Sequence, residues 1–157
     1  MKNILFVCLG NICRSPAAEG IMNKILSDKQ LTHKYTCDSA GTTGYHTGES
    51  ADARMIAHAK KRNYDLTSRA RQFDPSSDFE KFDYIITMDQ HNYENVRDRN
   101  YDKQHHHKIH PMVSFCTKHQ VDKVPDPYYG GAQGFERVLD ILEDACHGLL
   151  KHMEDEN

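Results

Sequence analysis

Residues 4–20, ILFVCLGNICRSPAAEG, decide the fold and the chemistry predicted for this chain. The apolar run from Ile4 to Leu9 has the length of a buried β-strand, and a glycine turn then leads into a segment with apolar residues at helical spacing. Ligands of open parallel sheets bind at the carboxyl ends of the strands. Because Cys8 follows the strand directly, it lies where a ligand-binding site is expected.

Apolar runs of strand length alternate with helical segments through the rest of the chain, a pattern that predicts βαβ units and a parallel sheet. The most strongly amphipathic helix begins near Phe135. No composition break or linker divides the chain, so residues 1–157 are expected to form one α/β domain. The four predicted strands are Ile4–Val7, Tyr35–Ser39, Tyr84–Met88 and, more weakly, Met112–Phe115.

Composition narrows the class of protein. The net charge of −3, from 20 basic and 23 acidic residues, provides no electrostatic footprint for a nucleic acid or an anionic membrane. No apolar stretch approaches the length of a membrane span. Five irregularly spaced cysteines favour a reducing compartment, so a cytoplasmic protein is expected. The tract QHHHKIH, residues 104–110, is interpreted as a solvated loop, and no metal site is predicted.

The turn between Cys8 and Arg14 has the features of an anion-binding loop. Gly10 and Asn11 tolerate the positive φ angles that a tight loop requires, and successive backbone N–H groups in such a loop point into one concavity. The Arg14 guanidinium can hold two phosphate oxygens at once. The predicted phosphate-binding residues are Leu9, Gly10, Asn11, Ile12, Cys13, Arg14 and Ser15.

The helix that follows adds to this positive environment. Ser15 can act as its N-cap and Pro16 can occupy the first helical position, so a helix N-terminus faces the anion. Such surroundings favour the thiolate of Cys8, a nucleophile placed beneath a bound phosphorus atom. The Walker phosphate loop and the dinucleotide fingerprint are both absent. The sequence therefore predicts a phosphate site without nucleotide chemistry.

A second motif, VPDPYYGG at residues 124–131, supplies a carboxylate for proton transfer. Pro125 and Pro127 restrict the backbone around Asp126, which suits a general acid that protonates a departing ester oxygen. Tyr128 and Tyr129 offer aromatic walls for a flat substrate ring. Taken alone, the octet is more typical of an ordinary surface turn.

Together, VCLGNICRSPAAEG (7–20) and VPDPYYGG resemble the low-molecular-weight protein tyrosine phosphatases. Three further segments are similar to that family: DSAGTTGYHTG (38–48), SRARQF (68–73) and FDYIITMDQHN (82–92). The resemblance implies a three-layer sandwich of the phosphotyrosine phosphatase I type, with a four-stranded parallel sheet flanked by helices. It also implies hydrolysis of phosphotyrosine proteins, phosphotyrosine peptides and small aryl phosphates without a metal or other cofactor.

The resemblance also implies roles for individual residues. Cys8 attacks phosphorus, Arg14 and the loop amides hold the phosphate oxygens, and Asp126 protonates the leaving phenol and later activates water. Asn11 stabilises the loop, and Ser15 hydrogen-bonds the thiolate.

Further positions around Cys8 and Arg14 also match the family. Ser39 corresponds to a position hydrogen-bonded to Asn11, and Cys13 to a thiol that captures oxidised Cys8 as a disulfide. In the segment where several members carry a histidine that supports the asparagine, this chain has Thr67, Ser68 and Arg69. The implied walls of the substrate slot are Tyr45, Tyr128 and Tyr129.

Three alternatives remain open at this stage. An arsenate reductase would need a relay of further cysteines, and the spacing of Cys37, Cys116 and Cys146 does not indicate one. A protein arginine phosphatase typically carries threonine at the position of Ile12. A phosphotyrosine-binding module would keep the loop and lack turnover.

Overall fold

The computed structural model describes residues 1–156 and contains a four-stranded parallel sheet flanked by helices. The spatial order of the strands is β2-β1-β3-β4, and every neighbouring pair is parallel. The strands are β1 (Lys2–Cys8), β2 (Tyr35–Gly41), β3 (Tyr84–Thr87) and β4 (Ile109–Pro111). The helices are α1 (Arg14–Asp28), α2 (Ala53–Lys60), α3 (Asp78–Lys81), α4 (Gln90–Asp98) and α5 (Ala132–Asp155).

Alternate residues of β1 bury their side chains on opposite faces of the sheet, as the two-residue period of a strand requires. Ile4 and Phe6 belong to the apolar cluster that includes α1 and α5. Leu5 and Val7 belong to the cluster that includes Phe79 of α3 and Val96 of α4. Burial on both faces explains why this strand is a continuous apolar run. The predicted three-layer α/β class is confirmed.

The strand predicted at Met112–Phe115 is wrong. The fourth strand is Ile109–Pro111, which overlaps the end of the tract interpreted as a loop, and Met112–Phe115 forms a 3₁₀ helix. Pro111 lacks an N–H and so cannot continue a ladder of hydrogen bonds. The three-residue period of the 3₁₀ turn places the buried side chains of Met112 and Phe115 on the same side.

The 3₁₀ helix at Met112–Phe115 packs closely against α5. A Cβ atom on Gly148 would lie 1.8 Å from the Phe115 carbonyl oxygen, so only glycine permits this approach. A second 3₁₀ turn, His106–Lys108, precedes β4. Within residues 1–156, no helix combines the length and the apolar character needed to cross a membrane.

Candidate active site

The loop that joins β1 to α1, residues 8–15, is held from outside by backbone hydrogen bonds. Three of its carbonyl groups accept from N–H groups of the segment that joins β2 to α2, at 2.8, 3.0 and 2.8 Å. Because these carbonyls face outward, the inside of the loop is left to N–H groups, the arrangement that an anion nest requires. The pairs are Cys8 with Thr42, Leu9 with Thr43, and Ile12 with Asp52.

Asn11 has the left-handed backbone predicted for this loop, with φ of 59°. Its side chain is buried and contacts both sides of the turn. The amide nitrogen donates to the Ser15 hydroxyl at 2.7 Å, and the amide oxygen accepts from the backbone N–H of Arg71 at 3.0 Å. Asn11 therefore links the loop to the segment that contains SRARQF.

Ser15 is not the N-cap of α1. The helix begins at Arg14, Cys13 precedes it without a side-chain capping bond, and Pro16 is the third helical residue. Proline is tolerated there because N–H groups of the first turn have no partner within the helix. The Ser15 hydroxyl instead lies 3.0 Å from the Cys8 sulfur. It is thus available to the thiol rather than to the helix end.

Arg14 is 3% exposed and carries its charge into the floor of the site. Its Nη1 lies 2.6 Å from Oδ2 of Asp89 and donates to the Val124 carbonyl at 3.1 Å. Its Nη2 lies 3.6 Å from Oδ2 of Asp126. Burial acts to lower the pKa of Arg14, but the charges of Cys8 and Asp89 outweigh it and raise that pKa. The guanidinium is therefore fixed between two carboxylates that belong to different loops.

Asp89 belongs to this site although the sequence analysis did not single it out. It is the N-cap of α4, where its Oδ1 accepts from the Asn92 N–H at 2.8 Å while Oδ2 accepts from Arg14. Burial raises the pKa of Asp89, but these hydrogen bonds outweigh it and lower that pKa. Its position after β3, at the ligand-binding edge of the sheet, is the signal that could have identified it.

A cleft of about 490 Å³ opens above the 8–15 loop. Tyr45 and Tyr129 stand 86% and 95% exposed at its rim, whereas Tyr128 is partly covered. The guanidinium of Arg54 lies 5.3 Å from the Tyr128 ring centroid. Asn11 and Ser15, also predicted to bind phosphate, are buried and do not line this cleft. The other residues predicted for the thiol, the phosphate loop, the acid and the slot walls do line it: Cys8, Leu9, Gly10, Ile12, Cys13, Arg14, Tyr45, Asp126, Tyr128 and Tyr129.

The predicted contact between Ser39 and Asn11 is absent, and Ser39 donates to Glu19 of α1 at 2.6 Å. Glu19 is a largely buried carboxylate, and burial raises its pKa. The side chains of Ser39 and Ser68 act against this rise in the pKa of Glu19. A buried carboxylate needs donors, which explains why the Ser39 hydroxyl turns toward Glu19.

Cys13 lines the same cleft as Cys8 and is 4% exposed. Burial, followed by the charges of Asp52 and Cys8, raises the pKa of its thiol. The other three cysteines do not line the cleft. Cys37 donates to Asn23, and the thiols of Cys116 and Cys146 face backbone carbonyls of other helices.

The fold and this cleft define a class of α/β proteins in which an anion-binding loop follows the first strand of a parallel sheet and places a thiol at its base. The sequence pattern of the family "low molecular weight phosphotyrosine protein phosphatase" matches residues 3–157. This chain belongs to that family, whose members are protein tyrosine phosphatases.

Individual relatives agree with this assignment. A Synechocystis protein, provisionally named a low molecular weight protein-tyrosine-phosphatase, is 52% identical over 98% of this chain and 97% of its own length. The crystal structure of a protein tyrosine phosphatase from Entamoeba histolytica, with Hepes in its active site, has 52% identity and a TM-score of 0.96, covering 99% of both chains. A Drosophila arginine phosphatase has 28% identity and a TM-score of 0.91, covering 100% of both.

Proposed function

We propose that this protein hydrolyses phosphotyrosine and small aryl phosphates through a phosphoryl intermediate on Cys8. The observation that carries the proposal is the meeting of Cys8, Arg14 and Asp126 at one cleft. A nucleophile, a cation for the phosphate oxygens and a carboxylate are the three groups that the two-step reaction needs. Cys8 and Arg14 belong to the 8–15 loop, and Asp126 comes from a segment distant in sequence.

In the first step the Cys8 sulfur attacks phosphorus, and the bond to the phenol oxygen breaks. Arg14 and the inward N–H groups of the 8–15 loop bind the phosphoryl oxygens as charge redistributes. The Ser15 hydroxyl, 3.0 Å from the sulfur, stabilises the thiolate as donor. Because Arg14 is already fixed by Asp89, it needs no reorganisation when the phosphate binds.

Asp126 donates the proton that the departing phenol oxygen needs, and in the second step it accepts a proton from the water that attacks phosphorus. Its side chain is 40% exposed, so it can exchange protons with solvent. Its Oδ1 accepts from the Tyr128 N–H at 3.1 Å, which ties the acid to the aromatic wall beside it. Tyr45, Tyr128 and Tyr129 bind the substrate ring.

The Drosophila neighbour raises phosphoarginine as a second candidate substrate. Ile12 lines the cleft at the position where threonine is typical of arginine phosphatases. An apolar side chain there cannot hydrogen-bond a guanidinium leaving group, whereas it packs well against an aryl ring. We therefore place phosphotyrosine first and use a phosphoarginine peptide as the competing substrate.

The test is phosphate release from a phosphotyrosine peptide in EDTA. Cys8→Ser abolishes turnover, and Asp126→Ala lowers kcat by roughly 10²- to 10⁴-fold, the usual contribution of a positioned acid. Cys116→Ser and Asp122→Ala are the matched controls and retain activity, since neither residue lines the cleft. Phosphate release that survives Cys8→Ser contradicts the mechanism. Faster turnover of a phosphoarginine peptide contradicts the substrate assignment.

We further infer that residues 1–157 act as one domain, with phosphotyrosine proteins of the cytoplasm as substrates. A reducing compartment suits a reaction that depends on a free thiol, and all five cysteines are free. Activity of the purified chain by itself is the corresponding test.

A further inference from the structure

His46 lies in the cleft although no step of the hydrolysis uses it. It follows the rim residue Tyr45, whose ring meets its own edge-on at a centroid distance of 4.9 Å. Its side chain is 20% exposed, so the ring is largely buried and only part of it reaches the mouth of the cleft. A polar ring in this position contacts the part of a substrate that surrounds the phosphotyrosine.

The ring is held in one orientation. Its Nδ1 lies 2.7 Å from Oε2 of Glu49. The opposite edge faces the 8–15 loop, where a Cβ built on Gly10 would lie 3.0 Å from Cδ2 and 3.7 Å from Nε2 of the ring. With Nδ1 engaged by Glu49, Nε2 is the nitrogen that faces the cleft.

The loop that carries this pair, residues 44–50, is itself anchored. The Gly48 N–H donates to the Ala70 carbonyl and the Ala70 N–H donates to the Glu49 carbonyl, both at 2.8 Å. Arg69 adds a side-chain bond to the Gly48 carbonyl at 3.0 Å. Because the loop is anchored and the ring is hydrogen-bonded to Glu49, little conformational entropy is lost when a ligand binds, which favours recognition.

We propose that His46, held by Glu49, is a specificity-determining residue that binds an acidic side chain next to the phosphotyrosine of the substrate. The protonated ring donates Nδ1–H to Glu49 and Nε2–H to the substrate carboxylate. The neutral ring, with its proton on Nδ1 toward Glu49, presents a lone pair at Nε2 and offers that carboxylate no hydrogen bond. The preference for acidic substrates therefore depends on the charge of the ring and decreases as pH rises.

Two charged residues near His46 lie on its own loop or on the segment behind that loop. Glu49 is the anion of its own loop, and Arg69 lies on the segment behind that loop. The phenol of Tyr45 lies beside it on the same loop. The other titratable groups that line the cleft are Cys8, Cys13, Arg14, Asp126, Tyr128 and Tyr129. Because Arg14 is paired with Asp89 and is needed for the phosphate in the proposed reaction, His46 is the basic side chain of the cleft that can meet an acidic substrate residue.

The inference rests on the proposed phosphotyrosine hydrolysis, and its test separates the two. Peptide pairs carry phosphotyrosine with either Glu or Gln immediately before or after it, and kcat/KM is measured for each. The ionisation of the phosphate and of the catalytic groups affects both peptides alike, so its effect cancels in the ratio of the two kcat/KM values. If neither peptide releases phosphate, the proposed function fails. If both are hydrolysed equally at every pH, only the role of His46 fails.

For the native chain we expect a ratio of about 10 near pH 5.5, the size of one charge-assisted hydrogen bond, and a ratio of about 1 near pH 8.5. His46→Gln brings the ratio to about 1 at both pH values. His46→Lys, a cation at both, retains the preference at the higher pH. His147→Gln, an exposed control on α5, leaves the profile of the native chain. A preference that persists in His46→Gln overturns the proposal.

Discussion

The Nη1 atom of Arg14 lies 2.6 Å from Oδ2 of Asp89, and this contact joins residues 75 positions apart at the floor of the cleft. Arg14 starts the helix that follows β1, and Asp89 caps the helix that follows β3. β1 and β3 are adjacent parallel strands, so both residues leave the same edge of the sheet. The sheet thereby fixes the guanidinium at the floor of the cleft, where the proposed mechanism needs it.

We therefore expect the replacement of Asp89 to weaken the binding of the substrate phosphate by Arg14. Asp89→Asn removes the charge that fixes the buried Arg14, and we expect kcat/KM for an aryl phosphate to fall by roughly 10- to 100-fold, since small misplacements have such effects. Steady-state kinetics measure the loss. Asp98→Asn, at the exposed far end of α4, is the control. Equal kcat/KM in Asp89→Asn and the native chain would falsify the positioning role.

Gly41 at the end of β2 permits the close approach of the 8–15 loop. A Cβ at this position would lie 2.8 Å from the Leu9 carbonyl oxygen and 3.1 Å from the Asn11 nitrogen, both backbone atoms. Gly41→Ala must displace the loop, so we expect a loss of about 1–3 kcal/mol in the free energy of unfolding together with a loss of activity.

Urea unfolding and turnover measure both effects for Gly41→Ala. Gly134→Ala is the matched control, because a Cβ there meets only ordinary contacts at 3.8 Å and alanine favours a helix. Full activity in Gly41→Ala would show that the loop tolerates the displacement.

Asp144 of α5 anchors the segment that leads to the 124–131 loop. It accepts from the backbone N–H groups of Thr117, Lys118 and His119 at 3.0, 2.9 and 2.9 Å. Burial raises the pKa of Asp144, but these donors outweigh it and hold that pKa far below its usual range. A lowered pKa contributes stability that is present above the unfolded value and lost as pH falls through the folded one.

Asp144→Asn should therefore destabilise the protein by about 2–3 kcal/mol at neutral pH. The difference from the native chain should shrink as pH falls below about 3.9, the ordinary value for aspartate. Urea unfolding at several pH values measures this, with Asp155→Asn, an exposed residue of the same helix, as control. A difference that stays constant with pH contradicts the assignment.

Cys8 and Cys13 line the same cleft, so oxidation should link them. Peroxide converts the Cys8 thiolate to a sulfenic acid, and attack by the Cys13 sulfur forms the disulfide and releases water. We expect native enzyme inactivated by peroxide to recover with dithiothreitol, whereas Cys13→Ser recovers poorly. Peptide mapping by mass spectrometry identifies the link. Equal recovery of both proteins, without a Cys8–Cys13 peptide, would count against the pair.

The sequence predicts best what depends on neighbouring residues. The strand before Cys8, the left-handed Asn11 and the two motifs at the cleft follow from local patterns, and the structure contains them. The contacts of Asp89 with Arg14, of Ser39 with Glu19 and of Asn11 with Arg71 join distant segments, and nothing local to those residues specifies them. The fourth strand was misplaced because it is only three residues long, too short for its period to be recognised.

The central claim is that Cys8 carries the phosphoryl group. Asp126→Ala mixed with p-nitrophenyl phosphate should trap it, because this leaving group departs without an acid whereas hydrolysis of the intermediate needs a base. Rapid acid quenching followed by peptide mapping identifies the modified residue. We predict a phosphoryl adduct on the peptide at Cys8, and none on Cys13. Release of nitrophenol through repeated turnovers with no adduct at Cys8 would contradict the account.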